Sequence, residues 1–146
     1  MRTEFHSILL AKMKDVGEPR FNLAHERLFN IIIDADEILG AATSGERQLT
    51  SEEWSSLSTV CDELVRYTKI HFMEEEEFLI SRGYPDSERH RVIHQNLIEA
   101  LNSFQKKVTQ CDEMNLKEMR RWLLEWLLNH INHEDYAYAA YFSTKE

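Results

Sequence analysis

His71 and Glu75 stand four residues apart within Lys69-Ile70-His71-Phe72-Met73-Glu74-Glu75-Glu76-Glu77-Phe78. Four residues is slightly more than one turn of an α-helix, so the two side chains project about 40° apart, on one face. One such pair is no more than a solvated acidic run with a histidine in it. The pattern recurs, however: His90 and His94 repeat the spacing, and His130 is followed by Asp135. Nitrogen and oxygen donors spaced along helical stretches are suited to binding metal.

These residues must be carried by helices, and the chain is patterned for them. Leu28, Ile31, Ile32, Ala35 and Leu39 give the three-and-four spacing of an apolar stripe over 22–39, with Asn22 as a start and Gly40 as a stop. His25, three residues before Leu28, shares the inward face. The stretch 41–46 is loop-like in composition. Thr50-Ser51-Glu52-Glu53 reads as a capping box opening a long helix. Its stripe runs through Trp54, Leu57, Val60, Cys61, Leu64, Val65, Thr68, His71, Phe72, Glu75 and Leu79 to a stop at Gly83 and Pro85. Asp86 is placed to cap a third helix, to about residue 110, whose stripe is His90, Ile93, His94, Leu97, Ile98, Leu101, Phe104 and Val108. A fourth begins at Asn115 and carries Met119, Trp122, Leu123, Trp126, Leu127, His130 and Ile131. Amphipathic helices joined by short loops predict an all-α, antiparallel up-down-up-down four-helix bundle. The expected organisation is a single domain over 1–146, with an N-terminal arm (1–20) and a bundle (21–142). His6, on an arm with little apolar period, is expected at the surface.

Composition narrows the partners. The net charge of −9 argues against nucleic acid and anionic membrane, both of which select clustered cations. No apolar run is long enough for membrane insertion. Two cysteines are too few for a disulfide framework and point to a reducing compartment, so a cytoplasmic location is expected. Cys61 reads as a buried small hydrophobe.

The inward positions offer five imidazoles and at least two carboxylates. That is too many ligands for one tetrahedral zinc, there is no thiolate pair, and the set is too nitrogen-rich for magnesium or calcium. His90-Arg91-Val92-Ile93-His94 has arginine where the helical zinc-protease motif needs its glutamate. None of the histidines has Glu three residues earlier, as ferritin-like di-iron bundles require. Histidines with bridging carboxylates suit two first-row metals sharing a site, most naturally iron.

His25 with Leu28, His71-Phe72, Glu75-Glu76, Gly83-Tyr84-Pro85, His90 and His94, Trp126-Leu127-Leu128-Asn129-His130-Ile131, Asp135 and Tyr138 together resemble the hemerythrins, most closely the bacterial hemerythrin-domain proteins. The resemblance implies two iron ions with a bridging oxo or hydroxo group. His90, His94 and His130 would bind one iron and His25 and His71 the other, with Glu75 and Asp135 bridging. Phe72, Trp126, Leu127 and Ile131 fall where the family lines its oxygen pocket. The implied activity is reversible dioxygen binding for carriage, storage or sensing, without enzymatic turnover. The alternative is a di-iron peroxidase or oxidase using the same site. The chain departs from the family pattern at Ala24, where Gln is common, and at Asn22, where Asp is common.

Helical geometry and resemblance disagree at one position. From His130, Glu134 lies about 40° away on an ideal α-helix and Asp135 about 140° away, so periodicity alone selects Glu134. The resemblance selects Asp135. That choice predicts a local widening of the helix to i→i+5 hydrogen bonding, as in a π-bulge.

Overall fold

The computed structural model describes residues 4–45, 47–112 and 116–144, without the side chains of Phe5 and Leu127. The expected loop residue Glu46 and helix start Asn115 therefore lie outside the described residues. The elements are α1 (Glu4–Ala11), α2 (Pro19–Ser44), α3 (Ser51–Ser81), α4 (Ser87–Thr109), α5 (Leu116–Asn129), a π-helical segment (His130–Asp135) and α6 (Tyr136–Ser143). There is no strand among the described residues. α2 packs on α3 and on α5, and α3 on α4, with short connections that force each neighbour to run back along the last. The result is the expected antiparallel helical bundle, with α1 laid against α2.

Local chemistry sets the ends. Thr50 Oγ1 accepts from the Glu53 backbone N–H at 3.1 Å while Glu53 Oε1 accepts from the Thr50 N–H at 2.9 Å, so α3 opens on the capping box. It closes where Gly83, at φ +70°, lets the Tyr84 N–H reach back to the Leu79 carbonyl at 3.0 Å. This turn sets the start of α4, and with it His90, opposite the end of α3. Among the described residues no helix is long and apolar enough to cross a membrane.

Three expectations need correction. α2 begins at Pro19, not Asn22; the Asn22 side chain instead accepts from the Val16 N–H at 3.0 Å and donates to Asp15 Oδ1 at 3.0 Å, tying down the segment before the helix. Nor does α2 stop at Gly40; it continues to Ser44. A Cβ at Gly40 would sit 2.9 Å from Arg120 Nη2, so the glycine leaves room for a guanidinium. That guanidinium bonds Asp36, a buried carboxylate on α2. His6 is the third correction: it is 2 % exposed, and its Nε2 lies 2.6 Å from Asp36 Oδ2. The arm is thus a helix joined to the bundle through a buried polar pair, with a partner 30 residues away that local periodicity could not reveal.

Candidate metal centre

Antiparallel packing brings the start of α2, the end of α3, the start of α4 and the π segment to one end of the bundle. From these come His25, His71 and Glu75, His90 and His94, and His130 and Asp135, each 6 % exposed or less. The π segment spans His130–Asp135, where the i→i+5 widening was predicted. The extra residue in the turn carries both His130 and Asp135 inward, while Glu134 turns outward to Arg89 Nη1 at 2.8 Å.

Each carboxylate presents one oxygen to each of two groups of imidazoles. Glu75 Oε2 faces His71 Nε2 at 3.4 Å and His25 Nε2 at 3.7 Å, whereas Glu75 Oε1 faces His90 Nε2 at 2.9 Å and His94 Nε2 at 3.0 Å. Asp135 divides in the same way: Oδ2 lies 3.1 Å from His25 Nε2, and Oδ1 lies 3.0 Å from His90 Nε2 and 2.9 Å from His130 Nε2. Two ligand sets result, His25–His71–Glu75–Asp135 and His90–His94–His130–Glu75–Asp135, each with its donor atoms within 4.8 Å of one another. They share only the two carboxylates.

Residues 18–142 match the hemerythrin family, described as the hemerythrin HHE cation-binding domain. The chain belongs to the hemerythrin family. It is 34 % identical over 90 residues to the bacteriohemerythrin of Stenotrophomonas maltophilia, covering 62 % of this chain and 58 % of that protein. Against the bacteriohemerythrin of Clostridium acetobutylicum it is 26 % identical over 125 residues, 85 % of this chain and 92 % of the relative. With the myohemerythrin of Theromyzon tessulatum it shares 35 % identity over 81 residues, 56 % of this chain and 62 % of that one.

The donor atoms fit bound metal. Both ring nitrogens of His25 and His71 and both oxygens of Asp135 are buried without a well-aligned hydrogen-bond partner. Orphaned polar atoms at this density are costly unless something positive lies between them. Without metal, the two carboxylates favour protonated imidazole at His25 and His90. Burial alone pushes the imidazoles of His25 and His90 down, but Asp135 and Glu75 outweigh it and lift them to about 9 and about 10. His94 is raised against its burial by Glu75 and Glu76. Burial would push Glu75 up, yet the imidazoles around it take it well below the ordinary carboxylate range.

Further residues fix these donors. Tyr138, one turn beyond the π segment, donates its hydroxyl to Glu75 Oε2 at 3.1 Å, and burial beside Glu75 and Asp135 raises the phenol so that it remains a donor. The Glu76 carboxylate lies 2.9 Å from His94 Nδ1, leaving Nε2 free to face the site. From sequence alone, Glu76 belongs to an acidic run that reads as a solvated face. Its contact joins α3 to α4, and only the packing of the two helices discloses it. Phe72 stacks on His94 with centroids 3.6 Å apart and rings 4° from parallel. Trp126 and Ile131 are buried, and the Leu127 side chain lies outside the described residues. His133 and Glu77 are exposed, and Cys61 is in the core.

Proposed function

We propose that this chain binds dioxygen reversibly at a non-haem di-iron centre. His90, His94 and His130 would hold one iron, His25 and His71 the other, and Glu75 and Asp135 would bridge them together with an oxo or hydroxo group. One observation carries the reading: each carboxylate divides its two oxygens between the same two groups of imidazoles. The set with three histidines offers more protein donors than the set with two, which leaves room for an exogenous ligand on the His25–His71 side.

A ferrous pair in this cage supplies the redox chemistry that dioxygen binding uses. The protein supplies the surroundings. Loading metal requires the raised imidazoles to surrender their protons, after which their nitrogens become donors. Phe72, Trp126 and Ile131 present apolar surface that excludes water and slows loss of the bound ligand. Tyr138 keeps its hydroxyl on Glu75, where it orients the shared carboxylate. This arrangement favours carriage, storage or sensing over peroxidase or oxidase turnover.

Anaerobic reconstitution with ferrous iron tests the proposal. The expected result is two irons per chain and a visible absorption band that appears with dioxygen and fades when the gas is removed. One iron per chain, or rapid turnover of added peroxide without a persistent band, would overturn it.

A further inference from the structure

Among the described residues, two side chains of the π segment, Asn132 and Glu134, make polar contacts outside the metal centre, and both accompany its register. Asn132 Oδ1 accepts from the Lys14 backbone N–H at 3.0 Å, and Asn132 Nδ2 donates to the Lys12 carbonyl at 3.2 Å. The side-chain amide therefore grips the arm backbone at two points, as a neighbouring strand would. Glu134 meanwhile is held outward by both nitrogens of the Arg89 fork, at 2.8 and 3.3 Å. Between this strap and α2 runs a cleft lined by Leu10, Met13, Lys14, Asp15, Asn22 and His25. The arm thus lies over the His25 end of the centre.

For the six residues of the π segment, His130–Asp135, the competing state is a regular α-helix. Relaxed to a regular α-helix, the segment would place Glu134, not Asp135, about 40° from His130. A carboxylate would still face the metals, but the wrong one, on a side chain longer by one methylene. The turn after residue 130 would be reset, carrying Asn132 away from Lys12 and Lys14. Widened turns of this kind occur at functional sites, and a two-register element is biased by any contact made in only one register.

We propose that Asn132 is a positioning residue: by gripping the Lys12–Lys14 backbone it holds the π register, so that the N-terminal arm determines which carboxylate bridges the metals. The inference rests on the di-iron reading and adds a coupling to it. Arm docking and correct iron ligation are linked in both directions, as linkage requires. Iron loading protects the arm, and an undocked arm loosens iron.

A double-mutant cycle on the full chain tests this, reading iron release to an excess of a ferrous chelator under anaerobic conditions. Asn132→Ala is expected to release iron about tenfold faster than wild type, the usual scale for losing a residue that supports a metal ligand. Glu134→Gln in the wild-type background is expected to change release by less than about twofold, because its pair with Arg89 is solvent-exposed and the amide oxygen still accepts from the guanidinium. In the Asn132→Ala background, where the slipped register presents Glu134 to the metals, the same substitution is expected to accelerate release about tenfold again. Hydrogen exchange at the Lys14 amide should rise in Asn132→Ala and fall on iron loading of wild type. Additive behaviour in the cycle, or wild-type release from Asn132→Ala, would overturn the proposal and leave Asn132 as a simple anchor for the arm. Should Asn132→Ala fail to fold, Lys14→Pro removes one of the two bonds, that to Asn132 Oδ1, from the arm side without touching the π segment, and is expected to accelerate release in the same direction by a smaller factor. Failure of the di-iron reading is distinguishable: wild type itself would not retain two irons.

Discussion

The two ends of the bundle are built on opposite principles. At one end, the close of α2, the start of α3, the close of α4 and the start of α5 meet through Leu39, Ala42, Leu57, Cys61, Leu101, Phe104 and Leu123, each 4 % exposed or less. At the other, the same helices bury His25, His71, Glu75, His90, His94, His130 and Asp135 to a similar degree. The apolar end gains from being dry, whatever else is present. The polar end is dry at a penalty that its own groups offset only by sharing protons, or by enclosing cations. The difference teaches that the apolar end rests on packing alone, whereas the polar end needs positive charge, proton or cation, among its buried donors.

Removing the carboxylate that both ligand sets share should break this contrast most severely. Glu75→Ala deletes an oxygen from each set and leaves four imidazoles facing a gap. Iron per chain, measured by metal analysis, is expected to fall well below that of wild type. Iron-loaded wild type should exceed its metal-free form by about 4 kcal/mol for each iron bound when free iron stands a thousandfold above its dissociation constant. In Glu75→Ala that difference should vanish, as denaturant unfolding with and without iron would record. A wild-type-sized gap in the variant would mean that the polar end does not owe its stability to metal.

Leu123→Ala makes the complementary cut. Leu123 is fully buried at the apolar end, and truncating such a leucine costs about 2–5 kcal/mol through lost transfer energy and a residual cavity. The loss should appear equally in metal-free and iron-loaded protein, with iron content unchanged. If Leu123→Ala also lowered iron content at a temperature where it remains folded, the two ends would not be separable.

The response to pH separates them without any change in apolar packing. In the metal-free protein, against the effect of burial, Asp135 and Glu75 lift His25 and His90 from 6.5 to about 9 and about 10. A raised folded-state value means that their contribution is fully present below pH 6.5 and is lost as pH climbs through 9 to 10. Glu75 is shifted the other way, so its contribution is present above 4.5 and declines as pH falls toward its depressed value. Metal-free stability should therefore be greatest between pH 4.5 and 6.5, with a long alkaline decline. Leu123→Ala should lower the whole curve without reshaping it, whereas His90→Gln should flatten the alkaline limb. A flat profile in wild type would refute the proton-sharing account.

How much of this could be read from the chain alone follows from the range of the interactions. The bundle was legible because apolar stripes and the Thr50 capping box are local, repeating within a turn or two. Much of the donor set was legible too, since His71 with Glu75 and His90 with His94 each lie one turn apart. His130 with Asp135 was different. A helical wheel points to Glu134, and only the family resemblance favoured Asp135 and with it the widened turn that the structure has. What escaped entirely were polar pairs joining distant segments: His6 with Asp36, Glu76 with His94, and Asn132 with the arm. Nothing in the residues flanking His6 indicates that Asp36 will meet it, so a histidine on a weakly patterned arm reads as solvent-facing. Gly40 misled for the same reason, because the guanidinium it accommodates comes from another helix.

The smallest expected effect concerns the boundary between the polar end and solvent. Glu76 is only partly buried, in a groove that also contains Phe72, Met73 and Glu77, yet it holds His94 Nδ1 at 2.9 Å. A carboxylate on the remote nitrogen of a metal-binding imidazole fixes its tautomer and strengthens the other nitrogen as a donor. Glu76→Gln preserves an acceptor of the same shape and removes only the charge. It should therefore weaken iron affinity by about tenfold, near the lower limit for such partners, while leaving the unfolding of the metal-free protein almost unchanged. Glu77→Gln, one residue on and exposed, should do nothing, which controls for the loss of negative charge along this face. Competition against a chelator of known affinity measures both variants. If they weaken iron binding equally, the effect is general electrostatics at an acidic surface; if only Glu76→Gln does, the polar end extends outward by one hydrogen bond beyond its buried residues.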